Sequence, residues 1–221
     1  MTTAKIADDF QQALDCLNDL YEVPEYFEVA YAQQVSMDRR PLWWMRFIKK
    51  DGTNNQLEGE HLSLLVDMFN SRLMGFTYLD SENASEESPD ESRSSDMALS
   101  FMSKAAPDIY PNLSVKWVQP LSHVAKNPPH DSALYYVDQQ SGEKQTLLGT
   151  RVKMVDSATG LYAWVVVNEN GEVLNFERDI HWSTLRGRRT TEVWLHDAYP
   201  SHPGRKVIPT DAAKLIASFE E

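Results

Sequence analysis

Residues 80–96 read Asp-Ser-Glu-Asn-Ala-Ser-Glu-Glu-Ser-Pro-Asp-Glu-Ser-Arg-Ser-Ser-Asp, seven acids and six serines with one proline and one arginine. A run with so little to bury cannot recover the entropy of its own ordering. It constrains the fold because the apolar segments on either side must then find their burial separately. The expected organisation is an α+β module at 1–79, a flexible acidic Ser-rich linker at 80–96, and a β-rich module with a C-terminal helix at 97–221.

The charge supports this division. The chain carries 33 acids against 21 bases, and 19 of the acids but only 8 of the bases lie in the first 100 residues. Phosphate contacts need Lys and Arg, so the acidic half disfavours nucleic acid and anionic membrane as partners there. An acidic solubilising surface is the simpler reading than a nucleic-acid mimic. The single cysteine, Cys16, excludes an intrachain disulfide or an all-cysteine metal site. No apolar run reaches the roughly 20 residues that span a bilayer, and the polar start does not resemble a signal peptide. The expectation is a soluble cytoplasmic protein with no membrane partner.

Along the chain, Ile6, Phe10, Leu14, Leu17 and Tyr21 recur at helical spacing. Residues 26–31 and 42–48 are rich in strand formers, and the second run is apolar throughout except for Arg46. Leu62, Leu65, Val66, Phe69 and Leu73 form a stripe that predicts a helix over 58–74, with Gly75 as its stop. Phe76 to Leu79 predicts a strand, so the first module reads helix–strand–strand–helix–strand. A short helix near 97–105 and a strand over 113–118 follow.

The remainder is punctuated by turns at Ser141-Gly142, Ala158-Thr159-Gly160 and Asn170-Gly171, the last a strong hairpin signal. Val193-Trp194-Leu195 predicts one more strand, and 210–219 a final helix capped by Thr210 or Asp211. From Leu147 to Asp197 the turn spacing predicts an antiparallel β meander or a small SH3-like barrel.

Chemistry is harder to find. Gly-x-Ser-x-Gly, Gly-x-Gly-x-x-Gly and P-loop patterns are absent, and no cofactor is implied. His181, His196, Asp197 and His202 offer a metal-ligand set for a hydrolase. Their placement on a strand end and a loop, with no His-Glu-x-x-His, makes a polar surface patch the simpler reading. A stronger signal is Arg186-Gly187-Arg188-Arg189, since residues 144–214 hold ten bases against eight acids.

Trp182 and Trp194 lie in that same region as candidate anchors. Arginines and tryptophans of a β module serve protein recognition or nucleic-acid stacking. The reading favours a non-enzymatic accessory protein that binds a protein partner through Arg186, Arg188, Arg189, Trp182 and Trp194. Nucleic acid on the same basic face is the alternative, and a metal-dependent hydrolase a further one.

Overall fold

The computed structural model describes residues 11, 12, 15, 17–20, 23–121, 134–197, 199 and 210–211. Its centre is a nine-stranded antiparallel sheet. The strands are β1 (Phe27–Met37), β2 (Arg40–Lys49), β3 (His61–Asp67), β4 (Leu73–Leu79), β5 (Leu113–Pro120), β8 (Thr150–Asp156), β9 (Tyr162–Val167), β10 (Val173–Ile180) and β13 (Thr210–Asp211). Their order is β13-β1-β2-β3-β4-β10-β9-β8-β5. Two small hairpins stand apart from it, β6 (Leu134–Val137) with β7 (Lys144–Leu147), and β11 (Trp182–Ser183) with β12 (Arg188–Arg189).

The expected antiparallel meander is present as β8, β9 and β10. It is not a separate SH3-like barrel, and no closed barrel forms among the described residues. Thr77 of β4 pairs with Asn175 of β10, and Phe76 with Phe176. One hydrogen-bonded sheet therefore runs through both expected modules.

The helix predicted over 58–74 is instead β3 and β4, joined by a turn at 68–72. Both strands are buried on both faces, so their sequence shows no period-2 alternation, and a helical stripe fits it by chance. Gly75 is not a helix stop. It lies inside β4, where a Cβ would come within 2.6 Å of the Phe176 carbonyl oxygen and 2.8 Å of a Leu195 methyl.

The acidic segment also differs from the expected tether. Ser81–Asn83 is a 3-10 turn capped by Asp80, and Glu91–Ala105 is a helix, α1. Asp90 caps α1 by accepting from the Arg93 amide at 2.9 Å, as an N-cap should. The short helix expected at 97–105 thus begins six residues earlier. Its buried face is narrow, made of Ser94, Ala98, Met102 and Ala105, and small side chains let it lie close on the sheet. Described residues between 11 and 20 are helical, as expected, with Leu17 fully buried; Cys16 lies outside the described residues.

On the α1 side, Met45, Leu64, Phe76, Val152, Met154, Val165 and Phe176 join Leu17, Ala98 and Met102 in the main core. The opposite side is covered by residues 189–197 and, over Leu79, Val166 and Leu174, by Leu134, Tyr136 and Leu147 of the β6–β7 hairpin. Val193, Trp194 and Leu195 form no strand there but an irregular strap with Leu195 buried. Their apolar character comes from lying across a sheet face. Thr210 and Asp211, expected to cap a helix, pair with Ala32 and Tyr31 as β13; residues 212–219 lie outside the described residues. No helix among the described residues is long and apolar enough to cross a membrane.

A candidate interaction hairpin above a buried charge belt

Strand alternation turns every second side chain to the face opposite α1. Arg46, between Met45 and Phe47 of the main core, therefore faces the strap, as do His61, Lys153 and Glu177. Ionised groups buried beneath a strap need partners, and the strap supplies them. Arg46 Nη1 donates to Asp197 at 2.6 Å, and the Glu58 amide donates to the other Asp197 oxygen at 2.7 Å. Glu177, 2% exposed, accepts from Arg189 Nη1 at 2.9 Å and from Trp164 Nε1 at 3.1 Å, and lies 3.3 Å from His196 Nε2.

These contacts set the protonation states. Burial alone would raise the Glu177 carboxyl, but the Arg189 guanidinium and His196 outweigh it and pull it down to about 2. Burial works against Asp197 in the same way. His61, Arg46 and the Glu58 amide reverse that, holding the carboxyl below its usual range. His61 goes the other way: burial and then Arg46 push it down to about 4, so it is neutral at pH 7. Its Nδ1 lies 2.8 Å from the Gly59 carbonyl oxygen, and its buried Nε2 has no hydrogen-bond partner among the described residues.

Above this belt stands the β11–β12 hairpin. Trp182 pairs with Arg189 and Ser183 with Arg188, and the Thr190 amide bonds the His181 carbonyl at its base. Trp182 closes an aromatic box over Lys153, whose Nζ lies 3.3 Å from the Trp182 ring centroid, 4.5 Å from Tyr162 and 5.5 Å from Trp117. Such contacts stabilise a desolvated ammonium by roughly 1–2 kcal/mol. At the tip, Arg186 and Arg188 are exposed, and neither side chain has an ion-pair partner among the described residues. Leu185 between Thr184 and Arg186 is 97% exposed.

The expected recognition set is thus split. Arg186, Arg188 and Trp182 share one hairpin, the two arginines at its exposed tip. Arg189 is 7% exposed and points inward to Glu177, a correction that follows from strand alternation within β12. Trp194 is half-buried, its indole N–H on the Ser36 carbonyl and its ring between Trp44 and Tyr199. Sequence reasoning missed Leu185, Glu177 and His61. Arg46 carried a readable signal, because one cation in an otherwise apolar strand requires a buried carboxylate.

The described members of the alternative metal-ligand set have other contacts. Asp197 is occupied by Arg46, His196 faces Glu177, and His181 is an exposed group 4.0 Å from Asp38. No group of three His, Cys, Asp or Glu with metal-binding geometry occurs among the described residues, and His202 lies outside them.

A second charged cluster sits where β2 ends and β3 begins, beside a cleft of about 460 Å³ lined by Tyr26, Lys49, Lys50, Asp51 and Glu82. Lys49 Nζ lies 3.0 Å from both Glu60 and Asp80, and the Tyr26 and Tyr78 hydroxyls donate to Asp80 at 2.8 and 3.1 Å. Burial opposes the Lys49 charge, but the two carboxylates outweigh it and raise its pKa. An amine held protonated is no nucleophile. The cluster reads as a structural clasp between β2, β3 and the turn after β4.

Comparison with protein-family models, with curated proteins and with solved structures finds no match to this chain.

Proposed function

We propose that the chain is a non-enzymatic accessory protein of the cytoplasm that binds another protein through the tip of the β11–β12 hairpin. The observation that carries this reading is Leu185, 97% exposed, beside two arginines with no ion-pair partner among the described residues. A single exposed leucine is ordinary on a protein surface. One presented on a hairpin whose base is pinned by a buried Arg189–Glu177 pair is pre-organised, so less ordering entropy opposes binding. The complementary partner surface is an apolar pocket with carboxylates at its rim, suited to bidentate guanidinium contacts.

Nucleic acid fits the same tip less well. A phosphate track needs a row of free cations, whereas Lys153 is boxed by aromatic rings, Arg178 is bridged to Asp108 and Arg189 to Glu177. A photo-crosslinking residue at position 185, applied in the native cell, tests the proposal. A defined protein should be captured, and Arg186→Glu with Arg188→Glu should abolish its capture. A captured set unchanged by charge reversal overturns the protein reading. Affinity for single-stranded oligonucleotide that falls steeply with salt favours nucleic acid instead.

A further inference from the structure

We propose that Glu177 is a latch that holds the β11–β12 hairpin and the strap 189–197 to the sheet as one unit, and that acid releases this unit while the sheet stays folded. The inference concerns how the hairpin is held and stands whether or not its tip binds anything.

Glu177 sits in mid-β10, and its two oxygens serve different clients. Oε2 accepts from Arg189 at the hairpin base, while Oε1 takes Trp164 and His196, the latter in the strap. Asp197 makes the second tie, to Arg46 of β2 and the amide of Glu58. The third lies at the β1–β2 turn, where the Thr191 hydroxyl donates to Asp38 and the Asp38 amide donates to Glu192. Each tie includes a carboxylate.

The apolar contribution beneath the strap is small by comparison. Among the described residues, seven buried ones form the cluster around Trp44 and Leu195, against twenty-four in the core on the α1 side. The cover is therefore held largely by groups that titrate.

Burial and the Arg46 cation disfavour a proton on His61 in the latched state, and the Asp197 carboxylate only partly offsets them. His61 faces Arg46 from β2, and Asp197 and His196 from the strap. Glu177 faces Arg189 from β12 and His196 from the strap, and the Arg151 guanidinium of β8 lies over the Trp164 ring that donates to it. His181 stands 4.0 Å from Asp38 at the third tie.

Latched, His61 takes a proton only near pH 4, whereas a solvated imidazole takes one near 6.5. The released state therefore gains protons first as pH falls from about 6.5 to 4. Glu177 and Asp197, whose carboxyls are depressed while latched, add to release below the ordinary carboxylate range. A charged His61 would also sit beside the Arg46 cation.

Hydrogen exchange read by mass spectrometry on the full chain, corrected for the pH dependence of the chemical rate, tests the latch. Protection over 181–197 should fall by roughly fifty- to hundredfold between pH 7 and 4.5, the span of one proton bound on release. Protection over β9 should hold. His61→Gln should flatten that dependence, and Glu177→Gln should lower protection of 181–197 already at pH 7. If Glu177→Gln does not fold, the wild type and His61→Gln decide the matter. Loss of protection in 181–197 and β9 at one common pH overturns the proposal, as does a hairpin and strap that stay protected to pH 4 or a His61→Gln profile identical to wild type.

Discussion

The two faces of the sheet are covered by different physics. On one, α1 and the N-terminal helical segment seal an apolar core in which Phe76, Phe101 and Phe176 meet ring to ring. On the other, beside a smaller apolar cluster under the β6–β7 hairpin, an irregular strap is tied by Arg46–Asp197 and by Arg189–Glu177–His196. Apolar burial is insensitive to pH and to the exact partner, since it scales with area removed from water. Buried ion pairs cost much of their Coulomb energy in desolvation and are sensitive to both pH and partner. The first face supplies stability, and the second supplies a specific, titratable position for the hairpin.

The largest effect should come from the apolar face. Phe76→Ala removes a fully buried ring and should destabilise by about 3–5 kcal/mol. Urea melts at pH 7 and 5 should give the same loss; a strongly pH-dependent loss would erase the contrast between the faces. On the charged face, Asp197→Asn leaves the Arg46 guanidinium without its carboxylate and should cost roughly 3 kcal/mol. Replacing both partners with apolar residues should cost clearly less than that single change. Equal losses in the two variants would mean that shape, not charge, holds the strap.

The pH dependence should be smaller. The folded-state pKa of His61 is depressed to about 4, so the unfolded chain binds a proton first and stability falls as pH drops from about 6.5 towards 4. The loss should reach on the order of 2–3 kcal/mol, and His61→Gln should remove most of it. A wild-type denaturation midpoint that stays level over that range would contradict the assignment. The smallest effect belongs to the α1 cap: Asp90→Ala should cost about 1 kcal/mol, measured in the same melts. It should leave protection of 181–197 unchanged.

How much was legible in the residues differs by element. The hairpin turn at Asn170-Gly171 and the turn at Ala158-Thr159-Gly160 were readable, because each depends on local backbone geometry and nearby side-chain bonds. β3 and β4 were not, since a strand buried on both sides carries no alternation to distinguish it from a helix. Residues 80–96 were misjudged for another reason. Their acids and serines serve as caps and back-bonding groups, as Asp90 and Ser94 do, and composition does not distinguish a capping residue from a solvated one. At the candidate site, Arg186, Arg188 and Trp182 were named from the sequence. The inward turn of Arg189 depends on strand register that no spacing reveals.

Local chemistry alone dictated the acidic front portion, the single thiol, the tight turns and the arginine cluster at 186–189, because each is a property of neighbouring residues. Long-range pairing decided that β4 joins β10, that Arg46 meets Asp197 across 151 positions, and that Glu177 holds two segments at once. Those choices rest on burial shared between distant strands, and burial exists only once the chain has closed on itself.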